Sequence, residues 1–198
     1  MPFYTRTGDK GDTGLLSKGR FKKHDVIFQA IGDIDELNSA IGLAKFYTHD
    51  DLVRKELKEI RNDLFVIGAD LAMIEGKKDA RTAKKDRTAA GGLEKAMEMK
   101  KARRSEDVVD RLEKSIEDIG RRIKAPTAFV IFEGEGALWL DLARTVTRRA
   151  ERSVLAASEK YDIDGDTNRY LNRLSSYLFA AAIYLNYVEG MKESHPTY

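Results

Sequence analysis

The chain has 198 residues, a formal net charge of +2, 42% hydrophobic and 34% charged residues, and no cysteine. That length suits one compact domain with a sizeable core. The small net charge argues against nucleic acid or an anionic membrane as partner, and the absent cysteine excludes disulfides, zinc–thiolate sites and thiol nucleophiles. No apolar run reaches membrane-spanning length, and Met1-Pro2-Phe3-Tyr4 does not open a basic-then-apolar leader. A soluble, unexported, cytoplasmic protein is expected. Three prolines and long Ala/Leu/Glu/Lys/Arg stretches favour helix over sheet.

In chain order, residues 1–24 are punctuated by Gly8, Gly11, Gly14 and Gly19 among Thr, Asp and Lys, so a non-helical arm is expected. From residue 25 the period changes. Ala30, Ile34, Leu37, Ile41 and Ala44 predict a first helix over 25–47. Val53, Leu57, Ile60, Leu64, Ile67, Leu71 and Ile74 then step four and three without a break, the seam of a helix packed nearly parallel to its neighbours. Asp50 or Asp51 can cap it and Gly76 can stop it.

Residues 77–104 hold eleven Lys/Arg and four Asp/Glu, a local net of +7 (11 − 4). Two readings stay open for them: a charged connector, or a basic patch for a polyanion, although no aromatic residue interleaves the charges. Val109, Leu112, Ile116, Ile119 and Ile123 predict a third helix, with Ser105 or Asp107 as cap and Pro126 as stop. A short apolar run over 128–132 leads to a Glu-Gly-Glu-Gly turn, a fourth helix over 137–159, an Asp/Gly loop, and a fifth helix over 167–188. The expected fold is all-α: one domain over 1–198, with a bundle of five helices packed up and down in a ferritin-like manner over 25–190.

Three places could carry chemistry. The arm reads Thr5-Arg6-Thr7-Gly8-Asp9-Lys10-Gly11-Asp12-Thr13-Gly14. Glycines that let backbone N–H groups converge, hydroxyl donors and two cations suit a triphosphate cradle. An ordinary Gly/Asp turn cluster would look the same, and this is not a Walker A loop. On the fourth helix Arg144, Arg148 and Glu151 share one face, well round from the apolar stripe Ala143, Val146, Ala150, Val154 and Ala157. A solvated, salt-bridged face is the plain reading. Four arginines to one glutamate, with no lysine, also suit bidentate phosphate or carboxylate pairing. On the fifth helix Asn172 sits at an interior position unfavourable for Asn, a candidate for a specific polar contact, whereas Asn168 reads as a cap. Asp33, Asp35 and Glu36 on the first helix read as charged surface.

Four segments, TRTGDKGDTG, AIGDIDELNSAIGLA, ARTVTRRAERSV and YLNRLSSYLF, together resemble the signatures of the propanediol-utilisation-type ATP:cob(I)alamin adenosyltransferases, in that family's order and spacing. The resemblance implies transfer of the 5′-deoxyadenosyl group of ATP to cob(I)alamin, by a homotrimer with sites at subunit interfaces. It implies that residues 5–13 (Thr5, Arg6, Thr7, Gly8, Asp9, Gly11, Asp12 and Thr13) wrap the ATP phosphates with Mg²⁺. Arg144, Arg148 and Glu151 would orient the nucleotide, Asn172 would help fix it, and Asp35 would pair across the interface with Arg144. Phe129 matches the family's aromatic on the corrinoid side, where it displaces the lower axial ligand. The family's Pro-Gly-Gly is replaced here by Phe132-Glu133-Gly134, so Phe132 could share or replace that role. A corrinoid reductase or an adenosylcobalamin-dependent mutase is an implied partner.

That chemistry agrees with what the chain lacks. Cob(I) is itself a strong nucleophile, so the protein needs only to position and to neutralise leaving-group charge. A ferritin-like di-metal centre is rejected, because His24, His49 and His195 lie off the seams and none follows a Glu by three. A non-catalytic scaffold or corrinoid chaperone would share the helices but would not need the arginine face together with the arm.

Overall fold

A computed structural model describes residues 4, 6, 8–15, 20–74, 105–191 and 194–197. Five helices make up its body: α1 (Val26–Tyr47), α2 (Asp51–Met73), α3 (Ser105–Gly120), α4 (Glu135–Ser158) and α5 (Gly165–Val188). The 77–104 connector and the proposed stop at Gly76 lie outside the described residues.

The helices begin where local chemistry directs. Asp25 caps α1 by accepting from Ile27 N at 3.2 Å, and Asp50 caps α2 by accepting from Val53 N at 2.9 Å. Three boundaries differ from the sequence expectation. α3 ends at Gly120, three residues short of the seam residue Ile123 and well before Pro126. α4 starts two residues early, with Gly134 as its cap, because the Glu-Gly-Glu-Gly turn winds into the helix. α5 is capped by Asp164, which accepts from Asp166 N at 3.1 Å, so Asn168 lies within the helix rather than at its cap.

Most seam residues point inward; Ile67, Ile74, Ile116 and Ile123 are only partly buried, and Val188, expected to end the α5 seam, is 47% exposed. Ala30, Ile34, Leu37, Ile41 and Ala44 of α1 are buried with Val53, Leu57, Ile60, Leu64 and Leu71 of α2. The α4 stripe from Ala143 to Ala157 and Leu171, Leu174, Leu178, Ala181 and Leu185 of α5 complete the core. Each fully buried Leu or Ile contributes roughly 1.5–3 kcal/mol. α1 packs on α2 and α4, and α5 packs on α4 and α3.

Polar contacts close the ring. Arg111 of α3 binds Glu56 at 2.8 Å and also Asp63, both on α2, while Tyr170 of α5 donates to Asp63 at 3.0 Å. Arg61 of α2 donates to buried Asn38 of α1 at 3.0 Å. α1 and α4 run antiparallel. Asp25 at the head of α1 meets Lys160 and Tyr161 past the foot of α4, and Tyr47 at the foot of α1 stacks on Trp139 at the head of α4, with centroids 5.3 Å apart.

The arm is more ordered than its glycines suggest. β1 (Asp12–Gly14) and β2 (Arg20–Lys22) pair antiparallel, Asp12 opposite Lys22 and Thr13 opposite Phe21. Phe21 packs on Phe28 of α1 with centroids 6.2 Å apart, which ties the hairpin to the head of that helix.

Candidate active site

In the arm, two positive-φ residues shape the turn before β1: Gly11 at 82° and Arg6 at 59°. Glycine adopts that conformation without strain; for arginine it is uncommon. Gly11 N donates to Gly8 O at 3.2 Å, and Lys23 N donates to Gly11 O at 2.9 Å. A Cβ on Gly8 would lie 3.0 Å from the Lys23 ammonium, so that cation rests directly on the turn. Lys22 binds Asp12 at 2.7 Å, and its hydrogen bond holds the Asp12 carboxyl below its ordinary value against slight desolvation. Asp12 is thus a cross-strand pin, and Arg20 donates to its carbonyl at 3.3 Å. Thr5 and Thr7 lie outside the described residues. Asp9 and Thr13 sit in the turn and in β1. Lys22 and Lys23 were not singled out from sequence, though a Lys-Lys pair facing a Gly-rich turn was there to be weighed.

The four α4 arginines divide by partner. Arg144 binds Asp141 of the same helix at 2.8 Å. Arg149 reaches across to α1, to Asp33 at 3.8 Å and to Glu36. Arg152 donates to the Arg148 carbonyl at 3.0 Å. Arg148 is exposed, and its guanidinium has no partner among the described residues. Arg144 and Arg149 are already neutralised by carboxylates, whereas Arg148 is available to an anion and Arg152, held only by a neutral carbonyl, adds to the positive charge there. Glu151 accepts from Asn172 Nδ2 at 3.1 Å, and Arg173 donates to Asn172 Oδ1 at 3.0 Å. The fold therefore brings Arg148, Glu151 and Asn172 to one α4–α5 surface. Asp35 is exposed on α1, and within the chain Arg144 pairs with Asp141 instead.

Asp33 corrects the sequence expectation of charged surface on α1. It is 4% exposed, accepts from Gln29 at 2.9 Å and from Ser153 of α4, and faces Arg149. A buried carboxylate with that many donors is a tie between helices. Composition could not separate it from Asp35 and Glu36; its place one residue before the seam position Ile34 was the available signal.

The two candidate corrinoid-side aromatics part company. Phe132 is 7% exposed and packs edge-on against Phe179 of α5 with centroids 6.1 Å apart, whereas Phe129 is 80% exposed. Phe129 precedes the head of α4, and Arg148 lies roughly 21 Å along that helix from Gly134 at about 1.5 Å per residue. One chain therefore presents two separate surfaces, a basic polar one and an aromatic one, spaced along the same helix. Where the foot of α1, the head of α4 and the end of α5 meet is a cavity of about 480 Å³ lined by Tyr47, His49, Asp50, Glu135, Leu185 and Glu189, among others. Burial raises the Glu189 carboxyl above its ordinary value; Glu135 adds to the rise and His49 opposes it.

One helical bundle thus carries an arginine surface suited to an anion, a glycine turn with a resting ammonium and, separately, a displayed aromatic. The sequence profile of the cobalamin adenosyltransferase family matches residues 3–185. A corrinoid adenosyltransferase of Bacillus subtilis (strain 168) is 37% identical over 197 residues, covering 96% of this chain and 90% of that protein. The mouse corrinoid adenosyltransferase MMAB is 33% identical, over 96% of this chain and 75% of its own. A phenylalanine-to-alanine variant of a PduO-type ATP:corrinoid adenosyltransferase from Lactobacillus reuteri, complexed with cobalamin and ATP, superposes with a TM-score of 0.78 at 31% identity over the whole of both chains. An arginine-to-lysine variant from the same organism, complexed with ATP, gives 0.76 at 31% identity, over 99% of this chain and all of that one. The chain belongs to the cobalamin adenosyltransferase family.

Proposed function

We propose that this protein transfers the 5′-deoxyadenosyl group of ATP to the cobalt of a cob(I)alamin-type corrinoid and releases triphosphate. The observation that carries the proposal is Arg148: an exposed guanidinium without a partner among the described residues, next to a Glu151–Asn172 pair that can orient a nucleotide. Cob(I) supplies the electron pair that attacks C5′, the C5′–O bond breaks, and the electrons leave with the triphosphate. The protein's part is to align the two substrates and to stabilise charge on the leaving group. Arg148 and the 8–13 turn, with Arg6 and Lys23, take the phosphates; Thr5 and Thr7 would add hydroxyl donors. Phe129 meets the corrinoid.

Mg²⁺ would be carried mainly on the ATP phosphates, whose oxygens suit a hard cation. A homotrimer fits as well. Apolar side chains such as Phe46, Phe65, Leu138 and Leu142 are exposed on the helices, and a second copy would let Asp35 reach Arg144. No helix among the described residues is long and apolar enough to cross a membrane. A cytoplasmic setting goes with the proposal because cob(I) needs a reducing compartment, which makes a corrinoid reductase a natural supplier and a mutase that uses adenosylcobalamin a natural recipient.

The test is calorimetric titration of the parent and of Arg148→Ala with MgATP, followed by turnover. We expect Arg148→Ala to fold with unchanged stability and to lose roughly 10²–10³-fold in kcat, the scale for deleting one stabiliser of developing charge. Parent-like turnover by that variant would overturn the assignment.

A further inference from the structure

The loop carrying Phe129 belongs to no helix, yet its backbone is fastened by three hydrogen bonds to the end of α5 and the segment beyond it. His195 Nδ1 lies 2.8 Å from the Phe129 carbonyl oxygen. A carbonyl can only accept, so Nδ1 carries the proton and donates. Ile131 N donates to Ser194 O at 2.8 Å. Gly134 N donates to Oδ1 of buried Asn186 at 3.1 Å. The reversal that makes this possible follows α5, where Gly190 adopts a φ of 70° and Met191 N donates to Asn186 O at 3.0 Å.

Fastening of this kind without burial of the ring needs a reason. Phe132, three residues on, turns inward against Phe179, while Phe129, whose carbonyl is the first of the fastened atoms, remains 80% exposed. An exposed phenylalanine adds nothing to the core, and pinning its backbone only restricts where the ring can go. Such restriction serves a ring that must meet a ligand at a set place, because a contact group displaced by about 1 Å loses much of its effect.

We propose that His195 is a positioning residue for Phe129: through the Phe129 carbonyl it fixes the site at which the ring meets the corrinoid. The proposal rests on the assignment of Phe129 to the corrinoid side. His195 itself is exposed, so its side chain can be changed without opening the core.

The test is a double-variant cycle with His195→Ala and Phe129→Ala, measuring kcat, KM for ATP and KM for corrinoid, with His195→Asn as the conservative control. His195→Ala should lower kcat by up to about tenfold, the rate equivalent of one lost hydrogen bond, and leave KM for ATP and thermal stability unchanged. His195→Asn, which keeps an N–H close to the Nδ1 position, should recover most of the loss. In the Phe129→Ala background His195→Ala should cost nothing further. An equal loss in both backgrounds overturns the proposal, as does full activity of His195→Ala beside a damaged Phe129→Ala. Full activity of Phe129→Ala would instead remove the corrinoid role of Phe129 itself, and the positioning role with it.

Discussion

Replacing Asp33 by alanine should damage the fold while sparing the chemistry. Asp33 is 4% exposed and takes hydrogen bonds from Gln29 and from Ser153 across the α1–α4 contact, with Arg149 opposite. A hydrogen bond to a charged group contributes roughly 1.5–3 kcal/mol net, and because Gln29 is exposed and Ser153 half-buried, water can serve the donors left behind. Arg149 keeps Glu36, which limits the loss on that side. The two hydrogen bonds sum to about 3–5 kcal/mol, a large part of a total of roughly 5–15 kcal/mol. For a chain of this size that corresponds to a Tm lower by about 6–20 °C. Asp33→Asn, which keeps one acceptor, should lose about half as much. Urea denaturation followed by circular dichroism, at one fixed protein concentration because assembly would couple to stability, reads the difference. Turnover per folded molecule should stay near parental. Stability of Asp33→Ala within about 0.5 kcal/mol of the parent, the range of an ordinary surface change, would refute the reasoning.

Two further predictions concern pH. Burial disfavours the ionised Asp25, but hydrogen bonds from Lys160, Ile27 N and Tyr161 outweigh it and hold the carboxyl below its ordinary value of 3.8. The stability it contributes is therefore complete above that value and is lost as pH falls through the lowered one. Asp25→Ala should cost about 1–2 kcal/mol at neutral pH, as loss of an N-cap does, and the gap to the parent should shrink below pH 3.8 in an acid titration of unfolding. Glu189 has the opposite sign. Burial and Glu135 raise its carboxyl above 4.5, so its ionised form is disfavoured in the folded chain and the penalty grows as pH rises through the raised value. Glu189→Gln should be more stable than the parent at pH 7 and indistinguishable from it near pH 4 (about the unperturbed carboxyl value), measured by thermal melts across that range.

How much could be read in the sequence depended on what each feature rests upon. The seams of α1, α2, α4 and α5 follow from a period of 3.6 residues, and most of their Ala, Leu, Ile and Val side chains are buried as the spacing requires, the departures, Ile67, Ile74 and Val188, falling toward helix ends or a partly covered face. Asp50 as a cap was legible because capping is decided within three residues. Contacts between distant residues were not. Whether Asp33 or Asp35 faces inward depends on Ser153 and Arg149, more than a hundred residues away. The division of Arg144, Arg148 and Arg149 into paired and unpaired cations depends on Asp141, Asp33 and Glu36. The β1–β2 hairpin escaped the glycine count because two three-residue strands leave almost no alternation to detect. The family signatures reached further than periodicity here, since four segments in register constrain a site that no single helix face defines.

The central claim is tested most directly under strict anaerobic conditions, by mixing the purified protein with MgATP and chemically reduced cob(I)alamin and following the visible spectrum. We predict protein- and ATP-dependent conversion to adenosylcobalamin with one triphosphate released per turnover. Tight ATP binding without conversion would contradict the claim, and would mark the chain as a nucleotide-binding relative that no longer performs adenosyl transfer.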